Sequence, residues 1–322
     1  MQILRRIIQP VSNKPHRFIQ TQKEIFRKSY FIINIYYSFI FYTAVNYIWY
    51  REKWLASKSI FPLWPLFWVN ESNYAIAVNC IIISAIFSSL LCLLFHQKRF
   101  LRVLVFLTLL LLVTLENSFG KVNHGNHVLI YISFILIFLP NKNKREIESS
   151  PYQRQLYLNA FFTSQVIFML TYSLSGFWKI LTGLQQFMKD EINCFSPDAL
   201  ALLIYKRIHQ TNVDSLLGGY IIDHPFLGWP LYISAIFLEF FSVVAAFRPS
   251  VHRIWGVFLI TLHLSIYLTM TINFKTNMFL LLIFFVFSPF YMEGVKMNNV
   301  IRNLPVILSA IKSVKYLRSR LS

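Results

Sequence analysis

The sequence predicts an all-α integral membrane protein: a polytopic bundle of about eight transmembrane helices, multi-pass in the cell membrane, with both termini cytoplasmic. Three observations predict it. The 322 residues are 56% apolar and only 14% charged, with a mean hydropathy of +0.52, whereas a soluble domain carries about 25% charged residues. The apolar residues gather into eight runs, each near the length of about 20 residues that crosses a hydrocarbon core. The connections between those runs alternate between rich and poor in Lys and Arg, the pattern of spans oriented by cations on their cytoplasmic side.

The runs fall at residues 29–49, 74–95, 100–116, 127–140, 159–181, 229–247, 254–271 and 276–292. Before the first lies a basic segment, residues 1–28, interrupted by Pro10 and Pro15 and followed by no small-residue cleavage site. It reads as a retained cytoplasmic or interfacial segment and not as a signal peptide. The fourth and eighth runs are short, so each tilts little, thins the bilayer or is half-buried in protein. The connection 182–228 is long, placed externally, and contains DALALLIYKRIHQ, whose apolar residues recur at helical spacing. One or two short helices are expected there. The tail, 293–322, is basic and amphipathic and reads as an interfacial helix. The transmembrane bundle thus occupies 29–292.

With the N-terminus inside, 22 Lys and Arg fall on the cytoplasmic side and 8 on the other. The net charge of +18 is then a matter of membrane lipids, whose anionic headgroups face those loops, and no nucleic-acid partner is implied. Three cysteines, Cys80, Cys92 and Cys194, give no disulfide framework, and no Cys/His spacing suits a metal. No P-loop, dinucleotide fingerprint, HExxH or GxSxG is present.

Polar groups inside spans carry the functional signal, because a charge at helix centre costs about 2.5–3.5 kcal/mol on insertion scales. Four ionisable residues stand out: His127 opening the fourth run, Lys179 near the end of the fifth, Glu239 in the sixth and His263 in the seventh. Asn126 and Tyr172 add polar groups at the external depth of His127 and Lys179. Glu239 and His263 lie at similar depth on consecutive helices and are expected to pair. Each also has a plainer reading. Lys179 can snorkel to the headgroups, His127 can bond at the interface, and Glu239 and His263 can make a structural hydrogen bond.

Four segments in order resemble one family. LTYSLSGFWKILTG (171–184) resembles the Tyr-x-x-(Ala/Ser)-Gly-x-x-Lys segment of the vitamin K-dependent gamma-carboxylase membrane domain, part of the HTTM (horizontally transferred transmembrane) group. GNHVLIYISFILIFLP (125–140) is similar to its Asn-His helix opening. FLEFFSVVAAFRPSVHRIWGVFLITLHLSIYLTMTINF (237–274) is similar to its Glu-containing and His-containing helices, and FFVFSPF (284–290) to its closing segment. The resemblance implies that Lys179 is a base activating a reduced quinone of the vitamin K or menaquinone type, with His127 near the same ring and Glu239 and His263 in supporting places. Trp178 stands where the carboxylases have a second lysine. A lysine held neutral by apolar surroundings can take a phenolic proton. The resemblance extends to the membrane protein of the sporulation-delaying toxin operon. That likeness implies a different role, in maturation or export of a secreted peptide precursor with a small accessory protein. A lipid- or solute-binding bundle without chemistry is the third reading, and the chain alone does not choose among them.

Overall fold

A computed structural model describes residues 15–57, 60–120, 122, 124–291 and 297–305. All regular structure among them is helical: α1 (Pro15–Leu55), α2 (Tyr74–Phe95), α3 (Arg99–Asn117), α4 (His127–Leu136), α5 (Lys144–Ser149), α6 (Pro151–Phe187), α7 (Ala199–Thr211), α8 (Gly218–Asp223), α9 (Pro225–Phe240), α10 (Ser242–Ala246), α11 (His252–Met270), α12 (Lys275–Leu281), continued by a π turn over Leu282–Val286, and α13 (Met297–Arg302). Among the described residues, five helical stretches are long and apolar enough to cross a membrane: Thr21–Leu55, Tyr74–Phe95, Arg99–Asn117, Pro151–Phe187 and Pro249–Met270. Three shorter apolar helices, His124–Leu136, Pro225–Phe240 and Lys275–Val286, occupy the other three apolar runs. The chain is therefore a membrane-type helical protein.

The described part of α1 begins at Pro15. Residues 1–14, and most of the tail expected to be an interfacial helix, lie outside the described residues. The long connection after α6 holds two helices, α7 and α8.

The chain divides into two compact units, Met1–Gln165 and Val166–Ser322, with the boundary inside α6. In the first, α1 packs on α2, α2 on α3 and α3 on α4. Its core gathers Ala44, Tyr47, Trp54, Val78, Ile82 and Leu112 with the loop residues Leu66 and Val69. Hydroxyls stitch helices together where apolar faces alone give lipid no reason to leave. Tyr36 Oη donates to the Leu129 carbonyl at 2.9 Å, and the Ser88 and Thr108 hydroxyls meet at 2.7 Å.

Of the two buried arginines in this unit, Arg102 and Arg154, the first ties helix ends together. Arg102, 1% exposed, gives Nη1 to the carbonyls of His96 (2.6 Å) and Gln97 (2.9 Å) and Nη2 to those of Leu139 (2.5 Å) and Ile137 (3.4 Å). These carbonyls lie at the C-terminal ends of α2 and α4, which carry partial negative charge and unpaired acceptors. Two helix ends stand in for a carboxylate. His96, in the turn between α2 and α3, is 3% exposed with neither ring nitrogen partnered, its ring between Tyr30 and Tyr37 at centroid distances of 5.0 and 5.8 Å. Burial first, and then the Arg102 charge, push its imidazole down to about 4.

In the second unit α11 lies against α9, α12 and the π turn, and α7 against α8 and α9. Gly256 of α11 permits the π turn to seat: a Cβ there would stand 2.9 Å from Phe285 Cβ and 3.2 Å from the Val286 amide nitrogen. Buried His252 ties the elements around it, with Nε2 donating to the Ala246 carbonyl and Nδ1 accepting from the Ser288 hydroxyl, both at 2.8 Å.

Candidate functional site

Tyr172, Ser175 or Gly176, and Lys179 recur along α6 at three- and four-residue steps, so they share one face of the helix. Gly176 lets the end of α9 reach that face. A Cβ on it would lie 2.5 Å from the Phe240 nitrogen and 2.8 Å from the Phe240 Cα, both backbone atoms, so only glycine admits this approach. Ser173 fixes what arrives. Its hydroxyl donates to the Phe240 carbonyl (2.9 Å) and accepts from the Val243 amide (2.8 Å), satisfying the groups freed where α9 ends and α10 begins.

This docking sets Glu239, in the last turn of α9, against Lys179. The Lys179 ammonium donates to both carboxylate oxygens, each at 2.6 Å. The Glu239 side chain is 8% exposed and that of Lys179 34% exposed, so the pair is closed on the carboxylate side and reachable on the ammonium side. Ser175 Oγ adds a longer contact to Oε2 at 3.4 Å.

The expected Glu239–His263 pair does not form. The close approach through Gly176 directs Glu239 to Lys179, and His263, from α11, meets α6 about two turns earlier. There its Nε2 lies 2.6 Å from the Tyr172 hydroxyl. The Phe274 ring lies against the imidazole with centroids 4.7 Å apart. His263 is 5% exposed and Tyr172 6%. Four of the six site residues predicted from sequence thus gather in the second unit as two adjoining pairs.

His127 and Asn126 belong to the first unit and find their partners within it. His127 Nε2 accepts from the Asn117 amide at 3.1 Å, and its Nδ1 faces His124 Nδ1 at 3.3 Å. Asn126 donates to the Tyr47 hydroxyl (2.8 Å) and to Glu116 (3.1 Å), while Tyr47 donates to the same carboxylate oxygen of Glu116 at 2.6 Å. Glu116 escaped the sequence reading because it closes the third run, LLLVTLEN, where an acid passes as a flanking residue. Ser173 escaped because a lone hydroxyl in an apolar run carries no spacing signal.

Among the described residues, no group of three or more His, Cys, Asp and Glu is placed to hold a metal ion. The chemistry available in the second unit is that of a carboxylate, an ammonium, a phenol and an imidazole: proton transfer and the stabilisation of an oxyanion. Comparison with known proteins adds no assignment: no protein-family description matches the chain, and neither a curated protein nor a solved structure resembles it significantly.

Proposed function

We propose that this chain is an HTTM-type, eight-span protein of the cell membrane, termini cytoplasmic, whose Lys179–Glu239 pair takes the phenolic proton of a reduced quinone. The observation that carries this reading is the two-point contact of the Lys179 ammonium with a nearly closed-off carboxylate. A structural lysine at a helix end turns to the headgroups; this one turns inward. The loop charges and the four ordered motifs support the topology and the family.

The geometry also favours a change in role. With Lys179 already bonded to both Glu239 oxygens, the pair acts as one unit. The carboxylate accepts the proton as the phenolic O–H breaks, and the ammonium keeps an N–H for the phenolate that forms. Lys179 is then the group that holds the oxyanion. The phenolate, richer in electrons than the phenol, is the form that reacts with oxygen.

The test is turnover of reduced menaquinone with oxygen by protein in nanodiscs, with quinone or epoxide read by mass spectrometry. Wild type yields product, and Glu239→Gln loses at least about 100-fold, the usual worth of a general base. Lys179→Ala loses a comparable factor. Lys179→Arg, which keeps a fixed cation but cannot deprotonate, retains more activity than Lys179→Ala. A folded wild-type protein no faster than empty nanodiscs refutes the proposal.

A further inference from the structure

Two imidazoles of the first unit face each other where α4 begins. His124 opens a single 3₁₀ turn, His124–Asn126, and His127 is the first residue of α4. Residues three apart eclipse one another in a 3₁₀ turn, so the run His-Gly-Asn-His brings both rings to one side. Their Nδ1 atoms lie 3.3 Å apart, with the rings edge to face and their centroids separated by 4.9 Å. His124 is exposed and His127 half-buried, so the pair can be reached from outside the bundle.

A separation of 3.3 Å is long for a hydrogen bond donated by N–H, whose useful range ends at about 3.2 Å. It is the edge length of a zinc tetrahedron. Two nitrogens at that separation, each about 2.0–2.1 Å from a metal, subtend about 104–111° at it, which brackets the tetrahedral angle. The other nitrogen of His127 has the partner that a metal-bound imidazole calls for. Nε2 lies 3.1 Å from the Asn117 side-chain amide, and an amide answers in either orientation. With a metal on Nδ1 the ring hydrogen sits on Nε2, and Asn117 turns its oxygen to receive it. An outer partner of this kind fixes the tautomer and the ring. Glu116, beside Asn117 in the chain and bonded to Asn126 at 3.1 Å, puts a carboxylate next to the turn, where its charge favours a dication.

We infer that His124 and His127 hold a divalent ion of the zinc class through their Nδ1 atoms, as one edge of a tetrahedral site. The other two positions are open to water or an incoming donor. Paired imidazoles suit Zn²⁺ and Cu²⁺, whereas Mg²⁺ and Ca²⁺ take oxygen. A resident zinc has three or four protein ligands; with two, the ion exchanges with the surroundings and its occupancy follows the local metal concentration. The ligands come from the turn and the first residue of α4, and the outer partner from the end of α3, so binding ties that junction together. Two histidines in four residues are too few to read as a metal spacing in sequence. The distance between them and the amide behind one of them are what mark the site. It stands apart from the Lys179–Glu239 reading and neither depends on the other.

Zinc chloride is the probe. The full chain, purified without a histidine tag and placed in nanodiscs, is titrated calorimetrically at about pH 7.5, where an ordinary imidazole is neutral. X-ray absorption of the loaded protein then counts the ligands. One ion should bind per chain, with two imidazole nitrogens at about 2.0–2.1 Å. His124→Ala, at an exposed position that folding tolerates, should weaken binding at least about 10-fold. Asn117→Asp, which makes the outer acceptor a carboxylate, should tighten it about 10-fold, a gain that a misfolded protein cannot imitate. A folded wild-type chain that binds no zinc up to about 1 mM overturns the site. So does zinc held by oxygen alone, or an affinity that His124→Ala leaves unchanged.

Discussion

Removing Lys179 should cost more than removing its partner, and removing both should cost less than the sum. At 2.6 Å the attraction between ammonium and carboxylate is about 6 kcal/mol at an effective dielectric constant of 20. Most of that only offsets desolvation. The third of the Lys179 side chain that meets solvent screens the pair further. Lys179→Met strands a carboxylate that is 8% exposed with only the 3.4 Å Ser175 contact. We expect a loss of about 3 kcal/mol, the low end for an uncompensated buried charge. Glu239→Met leaves an ammonium that can swing outward, at a cost of about 1 kcal/mol. The double Met variant replaces the pair with apolar groups of similar length and should also lose about 1 kcal/mol. The coupling is then about 3 kcal/mol. Reversible unfolding by SDS in mixed micelles, followed by circular dichroism, measures all four proteins. A double variant whose loss equals the sum of the singles, within about 0.5 kcal/mol, refutes the ion pair and with it the site.

Gly176→Ala drives a methyl against the Phe240 backbone, which cannot yield as a side-chain tip can; we expect a loss of about 1–3 kcal/mol from overpacking and a turnover loss resembling that of Glu239→Gln. Retained turnover would show that the close approach is not what positions Glu239. Arg102→Met leaves the carbonyls at the ends of α2 and α4 without donors and should destabilise by at least about 3 kcal/mol, read by the same SDS titration; a wild-type midpoint would refute the cap. His96 sets a pH dependence. Its folded imidazole takes a proton only near pH 4 and the unfolded ring near pH 6.5, so its contribution is complete above pH 6.5 and is lost as pH falls towards 4. The slope reaches up to about 1.4 kcal/mol per unit, and His96→Phe should remove it, which unfolding midpoints between pH 7 and 4 would reveal.

Composition and run length made the helices legible, because an apolar stretch of 20 residues has few other fates. The breaks inside them were not. The run at 229–247 gives way at Phe241 between two helices in a sequence, FLEFFSVV, with no proline or glycine to announce it. The signal lies in Ser173, 66 residues or more earlier in the chain, which receives the freed groups. The last run ends in a π turn because Gly256 of another helix leaves room for Phe285. Depth along a span told which ionisable residues were candidates. Rotation about the helix axis decides which of them meet, and that depends on close contacts such as the one at Gly176. For this reason Lys179 and Glu239 were both named and their pairing was not.

The guanidinium of Arg102 has a consequence for how the first unit comes to be. The carbonyls of His96 and Gln97 precede it in the chain, whereas those of Ile137 and Leu139 are synthesised some 35 residues later. A growing chain that has delivered only α2 and α3 holds an arginine bonded through one amino group, with the other still seeking acceptors in a medium that offers few. Arrival of the end of α4 closes that account. Arg102 is therefore a latch set by one pair of helices and sprung by the next, so the order of synthesis is also the order in which this unit becomes committed.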